Sequence, residues 1–156
     1  MSNETVTLIK PTLDLRDDFC SLAEEFFAEG DERYREATAD FEEFVRLCFD
    51  EAVGRNLAPG RVPQSTFWLV RNEQRILACS RLRHTLNPYL EEFGGHVGYD
   101  VRPSERRRGY GTQILRLKSW AFKTRARFES GYISKENSRM FIAIHCCDEN
   151  GRYDTS

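Results

Sequence analysis

The chain of 156 residues has the length of one compact domain. Its 40% apolar and 12% aromatic content can build a core, which excludes a disordered chain, and it contains no run of about 18 apolar residues that could cross a membrane as a helix. The net charge of −2 conceals an asymmetry: residues 1–56 carry 15 acids against 6 bases, whereas residues 102–127 carry 9 bases against the acid Glu105. Anion chemistry is expected in that second stretch.

The first residues, MSNETVTLIK, lack a basic start and an apolar run, so no secretory signal is expected and the reading is cytoplasmic. The five cysteines, Cys20, Cys48, Cys79, Cys146 and Cys147, are odd in number and form no C-x-x-C pair, which argues against a disulfide framework and a zinc clip. His145 neighbours Cys146, but adjacent strand residues point to opposite faces. The thiols read as small buried apolar groups or idle ones, and no metal is expected.

Thr5–Lys10 alternates apolar and polar residues and ends at Pro11, a short first strand. Leu13–Ala28 places Leu15, Phe19, Leu22, Ala23 and Phe26 at helical spacing, with Gly30 as the stop. Asp40 caps a second helix whose buried stripe is Phe41, Phe44, Val45, Cys48 and Ala52, ending near Gly54. Asn56–Ser65, with Pro59, Gly60 and Pro63, is loop. Thr66–Arg71 and Arg75–Arg83 are β-rich runs separated by Asn72-Glu-Gln74, a hairpin. His84–Gly95 is a polar, Gly-rich excursion, and His96–Val101 a further strand ended by Pro103. Gly109–Thr124 is helical, with Ile114, Leu117 and Ala121 on one face, and Phe141–Cys146 is the last strand. Residues 125–139 between them are polar and unpatterned. The order is that of an α/β domain of the α+β type, with helices packed on one sheet.

The informative stretch is Val101-Arg-Pro-Ser-Glu-Arg-Arg-Arg-Gly-Tyr-Gly-Thr112. A strand runs out, a turn carries three successive arginines, and two glycines open a helix. A helix start exposes backbone N–H groups and the positive end of the dipole, which suits a phosphate. Glycines let the backbone approach a ligand, and arginines add bidentate donors. Neither G-x-x-x-x-G-K-[ST] nor G-x-G-x-x-G is present, so a P-loop and a dinucleotide fingerprint are both excluded. Nine bases in 26 residues also leave open a small nucleic-acid-binding protein that tracks a phosphate backbone.

The turn matches the pattern [Q/R]-x-x-G-x-[G/A], with Arg106, Gly109 and Gly111 in its fixed positions. In this it resembles the GNAT N-acetyltransferases, and the order strand, two helices, antiparallel strands, then strand–turn–helix–strand is similar. The runs Arg81–His84, Gly94–Arg106 and Val62–Trp68 resemble an uncharacterised bacterial subgroup of that family. The resemblance covers roughly residues 5–124 and 141–150. It implies a single GNAT-like domain over 1–156, with a mixed, mostly antiparallel sheet, and acetyl-CoA as co-substrate. The pyrophosphate would rest on the amides of Arg107, Arg108, Gly109, Tyr110, Gly111 and Thr112, beside Arg106. The pantetheine arm would pair with the strand edge at Tyr99–Val101.

The implied reaction moves an acetyl group from acetyl-CoA to a primary amine of a small molecule or peptide, by direct attack through a tetrahedral intermediate. A backbone amide near Val101 would polarise the thioester carbonyl. Asp100 and His96, four residues apart on one strand face, are the candidates for the general base, with pairing of Asp100 to an arginine as its structural alternative. His84 and Arg83 are further candidates for substrate contact. The acidic first third would attract a cationic acceptor. The family's final helix and closing hairpin are expected to be missing after Cys147-Asp-Glu-Asn150, residues 125–139 are an atypical insertion, and 147–156 read as a truncated end. A weak or inactive CoA-binding domain is therefore a second reading, as is a homodimer that restores the acceptor side by exchange.

Overall fold

The computed structural model describes residues 4–93 and 95–116. The expected strand Phe141–Cys146, the stretch 125–139, the tail 147–156 and the helix beyond Arg116 lie outside the described residues.

Strand β1 (Val6–Ile9) leads through a 3-10 turn at Leu13–Leu15 into helix α1 (Arg16–Ala28). Gly30 stops α1 with φ of 81°, where a side chain would be strained. A short helix α2 (Arg35–Ala39), which the sequence pattern does not show, buries Ala37 alone. Helix α3 (Phe41–Ala52) starts as expected: the Asp40 carboxylate accepts from the Glu43 N–H at 3.1 Å.

Strands β2 (Gln64–Arg71) and β3 (Arg75–Arg83) form the expected hairpin. Asn72 and Glu73 both have positive φ, and the Gln74 N–H donates to the Arg71 carbonyl at 3.1 Å. That handedness matches the twist of the flanking strands.

The excursion after β3 departs from its reading as irregular chain. Helix α4 (Pro88–Phe93) forms there because Asn87 accepts from the Leu90 N–H at 2.9 Å, Pro88 sits in the first turn, and Tyr89 and Phe93 pack ring to ring at 5.4 Å. Strand β4 (Val97–Val101) follows, then a 3-10 turn at Pro103–Glu105 and the helical residues 110–116.

The sheet order is β1-β2-β3-β4, and every described pair is antiparallel. Trp68, Leu69, Val70, Ile76, Leu77 and Ala78 are fully buried, because both faces of the sheet are covered. On one face α1–α3 pack around Phe19, whose ring lies 5.2–5.4 Å from those of Tyr34, Phe41, Phe44 and Trp68. Truncating that ring to alanine would cost about 3–5 kcal/mol. On the other face Leu69, Leu77 and Ala78 pack against Tyr110 and Ile114. A bulge permits this division: Leu69 pairs with Ala78 and Val70 with Ile76, so Leu77 is the extra residue, and its carbonyl accepts from the Arg102 N–H at 2.8 Å.

Candidate functional site

The site is built where β4 leaves the sheet. In the β3–β4 ladder the Arg83 N–H donates to the His96 carbonyl and the Arg102 N–H to the Leu77 carbonyl. Antiparallel alternation then turns the N–H and C=O groups of Gly98 and Asp100 towards β3, and those of Val97, Tyr99 and Val101 away from it. Among the described residues no strand pairs with that outer edge.

Beyond Val101 the chain bends through Pro103 and passes Arg107 and Gly109, with φ of 64° and 81°. A Cβ on Gly109 would meet nothing within 4 Å, so this glycine answers a backbone conformation and the space beside it is open. Gly111 has a different reason. A Cβ there would lie 3.0 Å from Cε2 and 3.2 Å from the hydroxyl of Tyr99, so only the bare backbone lets the helix start settle on β4. The first N–H groups of that helix, from Gly109 to Thr112, have no intrahelical partner; the Gln113 N–H is the first to reach back, to the Gly109 carbonyl at 3.0 Å. These features fit a pyrophosphate on the turn and an extended amide-bearing chain along the edge of β4.

Charge pairs bolt the turn in place. Glu105, nearly buried, accepts from Arg71 at 3.1 Å and Arg75 at 2.7 Å, and pairs with Arg108 at 3.2 Å. Arg102 is buried and donates to Glu25 at 2.7 Å, Asp18 at 3.1 Å, the Ser21 hydroxyl at 3.1 Å and the Ile76 carbonyl at 3.2 Å. Glu25 also accepts from the Ser104 N–H at 2.9 Å. Burial raises the Glu25 and Glu105 carboxyls, but hydrogen bonds from the arginines outweigh it and hold both below the ordinary range. Arg106 makes two bonds to Glu29, 2.8 and 3.0 Å, and with Arg33 it flanks the Phe26 ring. Much of the positive charge that the sequence concentrates here is thus spent on acids of α1.

A cleft of about 1440 Å³ runs from the turn across the α1–α3 side of β4 and β3. Asp100 lies in its wall with both oxygens engaged: one by Arg33, the other by the Tyr34 hydroxyl and Arg81, each at 2.9 Å. Burial raises its carboxyl, yet Arg81 and Arg33 outweigh burial and keep it below its ordinary value. Burial lifts the Tyr34 hydroxyl well above its usual range, and pushes the Cys48 and Cys79 thiols up to about 11 and about 12.

Tyr99, Val101, Arg106, Arg107, Gly109, Tyr110 and Gly111 line this cleft together with Asp100, whereas Arg108 and Thr112 do not. His96 is nearly buried at the start of β4 and lies outside the cleft wall. The His84 ring is 2.8 Å from the Ser65 hydroxyl, and Arg83 lines the far end. The sequence reading misses Arg33, Tyr34 and Arg81 around Asp100. For Arg81 a signal exists, since it shares a strand face with Cys79, and Cys79 pairs in register with Asp100. Among the described residues no group of His, Cys, Asp and Glu side chains could hold a metal ion, and no helix is long and apolar enough to cross a membrane.

Neither a search of curated proteins nor one of solved structures finds a match. The sequence profile described as the acetyltransferase (GNAT) family matches residues 16–144, which includes α1, the whole of β2–β4 and the glycine turn. The chain belongs to the GNAT acetyltransferase family.

Proposed function

We propose that the protein transfers an acetyl group from acetyl-CoA to a primary amine. The observation that carries this reading is the run from β4 into the turn: outward backbone groups at Tyr99 and Val101, left-handed backbone at Gly109, and Gly111 seated against Tyr99. The amides of Arg107–Thr112 would hold the pyrophosphate, and the outward N–H of Tyr99 or Val101 would polarise the carbonyl. Bound acetyl-CoA supplies an activated thioester that an amine attacks directly.

In this reading Asp100 is a positioning residue. Arg33 and Arg81 keep it ionised, and it in turn holds Arg33, Tyr34 and Arg81 beside the strand edge. A proton acceptor works best with a pKa near the working pH, which a carboxylate held low does not have. His96 lies nearly buried outside the cleft wall, so the proton of the attacking amine leaves to water in the open cleft. Pairing of Arg102, Arg106 and Arg108 with acids disfavours nucleic-acid tracking, which needs those cations for phosphates.

Two measurements test the proposal. Acetyl-CoA should raise the melting temperature saturably, since a ligand at 100 times its Kd stabilises by about 2.7 kcal/mol. Free thiol should appear when acetyl-CoA and a panel of primary amines are added together. Stabilisation without turnover of any amine would reduce the protein to a CoA-binding domain; neither effect would refute the reading.

A further inference from the structure

On its α3 side the cleft is apolar. Phe44, Leu47 and Cys48 line it there, at the i, i+3 and i+4 spacing that puts them on one helix face. Phe44 and Leu47 are only half-buried, so both keep apolar surface open. The floor beside them is Thr66 and Trp68 of β2 and Cys79 of β3, which share a sheet face because Trp68 pairs in register with Cys79. Burial lifts the Cys48 and Cys79 thiols, as expected of a dry wall. One polar group of this region is unanswered. Trp68 is fully buried, and its indole N–H has no hydrogen-bond partner among the described residues. Buried donors are nearly always paired, so this one calls for an acceptor atom from outside the chain.

Register connects this wall to the strand that faces the cofactor. Trp68 pairs with Cys79 and Cys79 with Asp100, so the three stand in one row across β2, β3 and β4. Two strand spacings, about 10 Å, separate the Trp68 backbone from that of Asp100. The charges of the cleft are meanwhile committed within the chain. Asp31, Asp100, Glu29 and Glu32 each pair with arginines, and Glu51 accepts from Gln64 at 2.9 Å. These acids, spent on internal pairs, do not call for the cationic acceptor expected from the acidic first third. We infer that the acceptor is a primary amine carried on an apolar body, seated against Phe44 and Leu47, with a hydrogen-bond-accepting oxygen at its far end for the Trp68 N–H. The inference rests on the acetyl-CoA reading above, which places the attacking amine beside the middle of β4. An aromatic ring on a two-carbon arm meets these demands, since it reaches from β4 across β3 and brings no second charge.

The test is binding, which does not depend on turnover. 2-(4-Methoxyphenyl)ethylamine, 2-phenylethylamine, ethylamine, glycine and spermidine are titrated calorimetrically into the full chain with saturating CoA. The methoxyphenyl amine should bind at least about tenfold more tightly than ethylamine, as burial of one ring requires. It should also bind severalfold more tightly than 2-phenylethylamine. Leu47→Asn should shrink the first ratio severalfold, and Trp68→Phe should abolish the second while keeping most of the first. Leu47 is half-exposed and can be changed without opening the core, so its ratio decides even if Trp68→Phe does not fold. Aryl amines that bind no better than ethylamine, tighter binding of glycine or spermidine, or a first ratio unchanged in Leu47→Asn would overturn the inference. So would equal binding of the two aryl amines to the parent chain. Thiol release from acetyl-CoA is scored separately. Release with glycine or spermidine alone would uphold acetyl transfer and overturn this acceptor class, whereas tight aryl-amine binding without release would count against acetyl transfer and leave the preference of the cleft standing.

Discussion

Arg106 and Glu29 face each other through two parallel hydrogen bonds, 2.8 and 3.0 Å, that tie the glycine turn to the last residue of the α1 cap. The arginine that marks the family pattern thus acts on the turn from behind. If it positions the turn, Arg106→Ala and Glu29→Gln should both weaken acetyl-CoA binding, by about fivefold for a half-exposed pair worth about 1 kcal/mol. If instead Arg106 grips a phosphate directly, Glu29→Gln should release it and tighten binding. Calorimetric titration of the two variants decides between the signs.

Arg102 is the buried member of the arginine-rich turn and the one most closely tied to stability. Arg102→Ala strands Asp18 and Glu25 and should cost about 3 kcal/mol in denaturant unfolding, in the range for breaking a buried pair. Arg108→Ala, in the same turn but with an exposed side chain, should cost far less. Equal losses in both variants would contradict the assignment of Arg102 as the anchor.

Acid should undo the Asp100 frame. The folded carboxyl titrates below its unfolded value of about 3.9, so its contribution is fully present above that pH and is lost as pH falls through the lower folded value. Asp100→Asn should therefore be less stable than the parent at neutral pH, by about 3 kcal/mol, and the gap should narrow below roughly pH 4. In activity, Asp100→Asn should lower kcat/KM without moving its acid limb, and His96→Gln should leave that limb in place as well. A limb that moves with Asp100→Asn would make Asp100 the proton acceptor.

The thiols give an independent check on burial. With pKa values near 11 and 12, Cys48 and Cys79 should resist alkylation at pH 8, while the half-buried Cys20 reacts. Mass spectrometry of the labelled peptides reads this directly, and both buried thiols should label once the chain is unfolded.

Local signals made parts of this architecture legible in advance. Asp40 before an apolar stripe, Asn72–Gln74 between two β-rich runs, and Gly109 and Gly111 after a strand each carry their meaning within a few residues. The frame around Asp100 does not: Arg33 and Tyr34 reach it from 67 and 66 positions away, and no window contains both ends. Within the arginine run nothing in composition separates Arg102 from its neighbours. Its parity does, since the period-2 alternation through Gly98 and Asp100 sends its side chain towards α1. Helix α4 was hidden for another reason: six residues held by one cap and one aromatic pair present no periodic stripe.

The central claim is that acetyl-CoA lies along the edge of β4 with its pyrophosphate on the turn. At 156 residues the chain suits amide-resolved NMR titration. Saturation with acetyl-CoA should shift the amides of Tyr99, Val101 and Arg107–Thr112 most strongly, and leave those of β1 nearly still. An absence of shifts at millimolar acetyl-CoA, or shifts centred on residues away from β4 and the turn, would contradict the account.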